Sequence, residues 1–284
     1  MKILLTGADG FTGVHFMRIA AQAGHQVVPL QANLTHAAAV AQEVAALDFD
    51  AVVHLAAISF VGHSDDRAFY DVNLFGSLHL LDALAGRRRG ALRKVLLASS
   101  ANVYGNCEQS PIPESQTPAP ANHYAMSKLA MEYMAAARAD GLPLVLARPF
   151  NYTGPGQEAQ FVIPKLVDHF RRRAPVVALG NLDVEREYND VRFVCEAYLR
   201  LLEAPQSGGI YNVCTGATYN FAEVLGMLRT LTGHQLDVTV DKAFVRAREV
   251  HRLCGDPSRL AQAVGTLPSY SLSDTLAWML SEAQ

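Results

Sequence analysis

Short apolar runs alternate with helix-length segments through the first half of the chain. Helices are predicted over residues 14–23 and 71–84 and over the stretch containing Tyr124 and Lys128. The strand-like runs cover residues 3–5, 26–30, 51–56, 94–98 and 144–148. Because strands so uniformly hydrophobic are covered on both faces, we expect a parallel sheet between two helical layers. Right-handed crossovers then give a doubly wound α/β fold.

The pattern changes after the fifth strand, where proline and glycine become frequent between residues 149 and 180. A further apolar run at 210–213 is predicted to return to the main sheet. Later segments alternate short helices and strands, as expected of a smaller α/β lobe. We therefore predict a main domain from residues 1–152 and 187–214, and a C-terminal lobe from residues 153–186 and 215–284.

Composition narrows the class of protein. Half of the 284 residues are hydrophobic, the formal net charge is -3 and the pI is near 6.4. These values argue against nucleic acid or an anionic membrane as the main partner. The chain starts directly with a strand, so we expect no signal peptide, and no run has transmembrane length. Four cysteines without CxxC spacing predict reduced thiols in the cytoplasm and no metal site.

A glycine-spaced loop joins the first strand to the first helix. Gly7, Gly10 and Gly13 lie in the segment TGADGFTG at 6–13. Such glycines allow a tight turn, close approach of a pyrophosphate to the backbone, and close helix-to-strand packing. The pyrophosphate would lie on the helix N-terminus, where backbone N–H groups are free. The loop therefore predicts dinucleotide binding, although its first gap is one residue wider than in GxGxxG.

The end of the second strand leaves the choice of dinucleotide open. An acidic residue is expected there to bind the adenosine ribose. The segment instead reads Leu30-Gln31-Ala32-Asn33, with no Asp or Glu and no Arg or Lys to meet a 2′-phosphate. The cofactor is therefore predicted to be NADP or NAD, with the preference undecided.

Tyr124 and Lys128 are the candidate catalytic residues. Residues four apart on a helix share one face, so both side chains can point at a nicotinamide. A neighbouring ammonium and the oxidised nicotinamide would lower the pKa of the phenol, which could then exchange a proton with a carbonyl or alcohol oxygen. Ser100, after the fourth strand, would hydrogen-bond that oxygen. Together with the glycine loop, these residues predict hydride transfer.

These motifs resemble the extended short-chain dehydrogenase/reductases that act on nucleotide sugars, over nearly the whole chain. The matching segments are TGADGFTG at 6–13, HLAA at 54–57, VNLFGS at 72–77, SSANVYG at 99–105, YAMSK at 124–128 and RPFNYTGPGQ at 148–157. The resemblance implies a Rossmann domain with a nucleotide-sugar-binding lobe. It assigns catalysis to Ser100, Tyr124 and Lys128, with Lys128 also a ribose ligand.

The resemblance also implies two sets of binding residues. The expected cofactor contacts are Gly7, Asp9, Gly10, Phe11, Thr12, Gly13, Asn33, Leu34, Leu55, Ala56, Ala57, Asn73, Ala98, Ser99, Tyr124, Lys128, Pro149, Asn151 and Tyr152. The expected substrate contacts are Ser100, Ala101, Asn102, Tyr124, Asn151, Phe161, Val162, Lys165, Arg186, Arg246 and Glu249. The segments at 161–165, 186–191 and 246–250 are similar to those of GDP-mannose dehydratases and GDP-4-keto-6-deoxymannose reductases. Arg246 and Glu249 could instead form a surface ion pair.

Asn102, the residue after Ala101, distinguishes dehydration from reduction among the reactions of this group of enzymes. Sugar 4,6-dehydratases carry a glutamate in this segment that removes a proton during loss of water. Asn102 cannot act as that base, so we expect reduction of a GDP-4-keto-6-deoxyhexose at C4, giving a product of the GDP-rhamnose or GDP-6-deoxytalose type. A 4-epimerase with tightly held NAD and a non-catalytic dinucleotide sensor are the alternatives. By analogy, we expect a homodimer formed through helices 71–84 and 124–138.

Overall fold

The protein is described from a computed structural model, which covers residues 1–86, 92–138, 141–205, 208–242, 245 and 250–282. Six strands form the main sheet, and every neighbouring pair is parallel. They are β1 (Lys2–Thr6), β2 (Gln26–Pro29), β3 (Ala51–His54), β4 (Lys94–Ala98), β5 (Leu144–Pro149) and β10 (Gly209–Val213). Their order is β10-β5-β4-β3-β1-β2. The doubly wound Rossmann fold and the return of the 210–213 strand are thus confirmed.

Alternate residues of the main sheet bury their side chains in two opposite helical layers. Ile3, Leu5 and Val53 pack with α1 (Phe11–Gln22), α7 (Val191–Glu203) and α9 (Ser258–Val264). Leu4 and Val52 face the other layer, formed by α2 (Ala37–Ala46), α4 (Ser77–Ala85) and α5 (His123–Arg138). Because both faces are covered, the central positions of these strands are apolar and the polar residues lie mostly at strand ends, which explains the apolar runs in the sequence.

The predicted helix at 71–84 is two consecutive segments in the structure, and a third, short helix precedes them. The chain runs through α3 (Asp66–Phe69), a π-helical stretch (Tyr70–Gly76) and then α4. The Asp65 carboxylate caps α3 by accepting from the backbone N–H groups of Arg67 and Ala68. π-helical turns are frequent at functional sites, and this one places the side chain of Asn73 against Ser127 of α5.

The C-terminal lobe has a core of its own. Ile163, Leu166 and Phe170 of α6 (Val162–Arg171) pack against Val224 of α8 (Phe221–Thr232) and Leu276 of α10 (Leu272–Ser281). The strands outside the main sheet are β6 (Tyr152–Thr153), β7 (Val176–Leu179), β8 (Glu185–Glu187), β9 (Asn189–Asp190), β11 (Thr218–Tyr219), β12 (Asp237–Val240) and β13 (Arg252–Leu253). They pair as β11-β8-β13, β12-β7 and β6-β9. The residue boundaries of the two lobes stay a prediction.

The position of the site follows from the strand order. β2 lies on one side of β1 and β3 on the other, so the connections leave the carboxyl edge in opposite directions between β1 and β3. Ligands bind in this fold at such a switch point. The predicted motifs follow directly from the ends of β1, β3, β4 and β5, and they therefore meet at this edge.

Candidate active site

The glycine loop after β1 is packed so closely that side chains are excluded. Gly7 has φ +70°, and a Cβ there would lie 2.8 Å from the backbone nitrogen of Ala56. A Cβ at Gly13 would lie 2.0 Å from the carbonyl oxygen of Gly7. Gly10 is exposed and precedes α1. The turn and packing roles expected of the first and third glycines therefore have a steric basis here.

The N-terminus of α1 suits a pyrophosphate. No side chain caps it, and its first turn contains no acidic residue. Its backbone N–H groups can therefore meet an anion, as the helix dipole favours. Asp9 is exposed in the loop. Thr12 and Tyr152 are joined by a 2.8 Å hydrogen bond between hydroxyls, and Phe11 stacks on the Tyr152 ring, so β6 is tied to this turn.

Like the N-terminus of α1, the buried hydroxyl of Ser99 fits a bound cofactor. It lies at the end of β4 and is only 3 % exposed. Within the described part of the chain, its Oγ has no hydrogen-bond partner. A buried polar group without a partner is costly. A dinucleotide that reaches from α1 to the end of β4 would supply one.

The end of β2 carries a carboxylate that sequence reasoning missed. Glu43 of α2 accepts hydrogen bonds from the backbone nitrogens of Gln31 at 2.8 Å and Ala32 at 2.6 Å. Asn33 is exposed, and its Oδ1 accepts from Thr35. Leu34 is buried next to the π-helical stretch. A carboxylate therefore lies at the end of β2, contributed by the following helix and not by the strand.

The end of β3 supports the loop from the other side. Leu55 donates its backbone N–H to the carbonyl of Thr6, and Ala56 donates to the Thr6 hydroxyl. Ala57 follows and is half-buried. The amide of Asn73 is bound within the protein, to both backbone groups of Ile58 and to a serine of α5. The side chain of Asn73 therefore fixes the segment after β3.

Ser100 is oriented by its neighbour. Its Oγ accepts from the backbone nitrogen of Asn102 at 3.1 Å and from the side-chain amide of Asn102 at 3.2 Å. Two accepted bonds occupy the oxygen lone pairs, so the hydroxyl proton is left for a third group. Ala101 is 1 % exposed and packs in the core below.

Tyr124 is the second residue of α5 and is 8 % exposed. Burial raises the pKa of its phenol, while a hydrogen bond with the Ser100 side chain opposes that shift. The sequence argument expected a lowered pKa. In the structure desolvation outweighs the nearby polar groups, and the phenol is held in its protonated form at neutral pH.

Lys128 lies one turn further along α5 and is 4 % exposed. Its Nζ donates to the carbonyl oxygen of Ala98 at 2.7 Å, at the end of β4. Burial lowers the pKa of this ammonium to about 8, and the negative charge of Glu132 partly offsets that shift. Ser100, Tyr124 and Lys128 thus meet at one strand end, as the motif spacing predicts.

A buried ion pair lies one further turn along α5. Glu132 is 4 % exposed and accepts from Arg148 at 2.9 Å and 2.5 Å. The Arg148 guanidinium also lies over the ring of Tyr104, 4.8 Å from its centroid. This pair joins β5 to α5 immediately before Pro149, the last residue of β5. It was not singled out from the sequence.

Further predicted substrate contacts lie in the segments that follow β5. Asn151 is exposed, and its backbone oxygen accepts from Asn189. Phe161 caps α6 and meets Phe60 edge-on, with ring centroids 5.6 Å apart. Val162 is half-buried at the start of α6. These residues connect the lobe to the loop that follows β3.

Two predicted cationic ligands are engaged with backbone carbonyls. Lys165 donates to Ala178 at 2.6 Å. Arg186 is 8 % exposed and donates to the carbonyls of Glu185 and His251, each at 3.0 Å, and of Val250. The predicted substrate contacts Arg246 and Glu249 lie outside the described residues. The structure therefore places Arg186 directly beside the end of the 246–250 segment.

Comparison with known proteins identifies the family. The model of the family described as GDP-mannose 4,6 dehydratase matches residues 29–279. The chain belongs to this family. The resemblance stated from the motifs is thus confirmed.

Two curated relatives in this family share about a third of their residues with the chain. GDP-6-deoxy-D-mannose reductase of Pseudomonas aeruginosa is 34% identical over 297 residues, covering 99% of this chain and 96% of the relative. GDP-6-deoxy-D-talose 4-dehydrogenase of Aggregatibacter actinomycetemcomitans is 33% identical over 270 residues, covering 93% and 92%. The likeness therefore extends over both lobes.

Solved structures of similar proteins agree with the family assignment. A putative epimerase from Burkholderia cenocepacia is 44% identical with a TM-score of 0.90, covering 99% of this chain and 97% of that chain. RMD from Pseudomonas aeruginosa, complexed with NADPH, is 33% identical with a TM-score of 0.89, covering 99% and 96%.

Among the described residues, no three His, Cys, Asp or Glu side chains are arranged to hold a metal ion. Across the same residues, no helix has the length and apolar character needed to span a bilayer.

Proposed function

We propose that the protein is an NAD(P)H-dependent reductase of the C4 keto group of a GDP-4-keto-6-deoxyhexose. The observation that carries the proposal is the joint placement of Ser100, Tyr124 and Lys128 with an amide, Asn102, beside them. Proton exchange with a carbonyl oxygen needs the first three groups. Elimination of water needs a base that an amide cannot supply.

The cofactor, when bound, supplies the hydride that adds to C4. Ser100 donates its free hydroxyl proton to the carbonyl oxygen and holds it beside the phenol. As the C=O π electrons move to oxygen, the Tyr124 hydroxyl transfers its proton there and the alcohol forms. The ammonium of Lys128 then stabilises the phenolate until solvent returns a proton. The protonated state of buried Tyr124 suits this direction.

GDP-linked substrates are supported by the relatives, since both curated names specify a GDP-6-deoxyhexose. Arg186 and the predicted Arg246 would bind the diphosphate, because guanidinium groups pair well with phosphates. The predicted Glu249 would accept hydrogen bonds from the ribose or the guanine edge. NADP and NAD both remain candidates: the Pseudomonas structure holds NADPH, whereas Glu43 places a carboxylate at the end of β2.

A direct assay tests the proposal. GDP-4-keto-6-deoxymannose is supplied with NADPH or NADH, and cofactor oxidation is followed at 340 nm. We expect one equivalent of cofactor consumed per product, with the C4 configuration read by NMR as GDP-rhamnose or GDP-6-deoxytalose. No consumption of either cofactor, with the substrate shown to be intact, would overturn the proposal.

A nucleotide-sugar 4-epimerase is the second candidate, and the 44% identical putative epimerase supports it. Such an enzyme uses the same three groups without net redox change. Stoichiometric, non-exchanging NAD in the purified protein, with interconversion of C4 epimers, would favour it over the reductase.

We also propose that the protein is a cytoplasmic homodimer. Four free thiols fit a reducing compartment. Phe75 of the π-helical stretch and Met126, Tyr133 and Met134 of α5 are 50 %, 43 %, 64 % and 41 % exposed. Apolar side chains on adjacent helices suit burial between two copies. Light scattering should give the dimer mass for the wild type and the monomer mass for Tyr133→Glu.

A further inference from the structure

A chain of buried hydrogen bonds connects the cofactor loop to the catalytic helix through His54. Thr6, His54 and Ser77 are each 1 % exposed, and Asn73 and Ser127 are fully buried. Thr6 immediately precedes the glycine loop, His54 ends β3, and Ser127 lies between the two catalytic residues of α5.

The direction of every bond in this chain follows from proton counting. Ser77 donates its single hydroxyl proton to the carbonyl of Asn73 at 2.7 Å. It must therefore accept from the Nε2 of His54, also at 2.7 Å. Burial lowers the pKa of His54 to about 3, so the ring is neutral and carries only that proton.

The other ring nitrogen of His54 must then be an acceptor. Its Nδ1 lies 2.7 Å from the Thr6 hydroxyl, which donates to it. The Thr6 oxygen in turn accepts from the backbone nitrogen of Ala56 at 3.1 Å. The chain therefore has one tautomer and one direction, and each donor has an acceptor.

The far end of the chain reaches Tyr124. The amide of Asn73 donates to the Ser127 hydroxyl at 3.1 Å, and Ser127 donates to the carbonyl oxygen of Tyr124 at 2.8 Å. The first turn of α5 is thereby fixed to the π-helical stretch. The same network that holds Thr6 beside Gly7 also holds the backbone of the catalytic tyrosine.

We propose that neutral His54 is a positioning residue that fixes the cofactor loop through Nδ1 and the catalytic helix through Nε2. A displacement of about 1 Å in the active site can lower a rate up to about 100-fold. We expect the Nδ1 connection to control the Kd for the cofactor and the Nε2 connection to control kcat. The kinetic part of this inference rests on the proposed reductase function.

Two amide substitutions test the two ring nitrogens of His54 separately. In His54→Asn the side-chain amide falls near the position of Nδ1, so it can still accept from Thr6 but cannot reach Ser77. In His54→Gln the amide reaches the position of Nε2 and can donate to Ser77, but Thr6 loses its acceptor. Each variant therefore keeps one connection and breaks the other.

We expect His54→Asn to lower kcat about tenfold while the Kd for NADPH stays within about twofold. In His54→Gln the Kd for NADPH, measured by quenching of its fluorescence, should rise about tenfold while kcat stays within about twofold. Equal changes of both parameters in both variants, or a lowered unfolding temperature with neither parameter moved, would overturn the proposal.

A second pair of variants tests the same two connections in case the His54 variants fold poorly. Thr6→Val breaks the connection at the cofactor loop, and Ser77→Ala breaks it next to the π-helical stretch. We expect them to reproduce the results for His54→Gln and His54→Asn respectively. Because NADPH binding is measured without substrate, that half of the proposal is decided even if the wild type fails to reduce the proposed sugar.

Discussion

The carboxyl edge of the main sheet and the C-terminal lobe hold their buried cations differently. At the sheet edge Lys128 is held by the carbonyl of Ala98, the last residue of a strand. In the lobe Arg186 donates to carbonyls of its own strand and of residues 250 and 251. The first cation is held at the end of a strand of the main sheet, whereas the second depends on a segment more than sixty residues away in the sequence.

The largest effect is expected at the sheet edge, where Tyr124→Phe should lower kcat. Loss of the acidic hydroxyl should lower kcat about 1,000-fold, within the range of general acid catalysis. Binding of GDP and NADPH should stay within about twofold, because the ring remains. Single-turnover rates and fluorescence titration provide the two measurements. Retained turnover would remove Tyr124 from the mechanism.

Gly13→Ala should destabilise the protein by about 3 kcal/mol and abolish NADPH binding, because the new Cβ would overlap the Gly7 carbonyl. Gly226→Ala in α8 of the lobe is the matched control, since nothing lies within 4 Å of its Cβ. That change should stabilise by about 1 kcal/mol. Urea unfolding measures both. Equal effects would show that the loop is not sterically constrained.

Arg186→Lys tests the lobe. A lysine cannot reproduce the planar guanidinium, so KM for the GDP-sugar should rise about 30-fold with kcat changed less than about threefold. Arg252→Gln in the adjacent strand removes an exposed pair with Glu185 and should leave both parameters unchanged. A fall in kcat alone for Arg186→Lys would instead place that arginine with the catalytic groups.

The pH profile sharpens the role of Lys128. Its pKa is lowered from 10.5 to about 8, so the ammonium is charged below pH 8 and loses its proton as pH rises. We expect kcat/KM to fall about tenfold per pH unit above pH 8. The pKa of Tyr124 is raised above 10, so the phenol does not cause this limb. A flat profile to pH 10 would contradict the assignment.

Glu43→Gln should have the smallest effect. Its carboxylate lies at the end of β2, where the adenosine ribose is bound in this fold. Removing the charge should raise the NADPH to NADH ratio of kcat/KM about threefold, because a 2′-phosphate is no longer repelled. Asp48→Asn, at an exposed pair with Lys2, is the control for net charge. An unchanged ratio would exclude Glu43 from cofactor selection.

The sequence predicts the sheet edge well, for a physical reason. Buried strands produce apolar runs, and parallel strands bring the residues after those runs to one edge. The spacing therefore predicted that Ser100, Tyr124 and Lys128 would lie together, and their catalytic roles stay a prediction. Glu43 was missed because it reaches β2 from the next helix, and no local pattern encodes which side chain folds back. The contacts of Arg186 were missed for the same reason.

The outer strand β2 has a further consequence. The backbone nitrogens of Gln26 and Leu30 point inward to β1, so the alternate positions Val27, Pro29 and Gln31 face outward, and two of these three offer no free donor. Pro29 has no N–H, and Gln31 gives its own to Glu43. Edge strands with free donors recruit other chains and promote aggregation. At high concentration this margin of the sheet should resist fibril-like stacking.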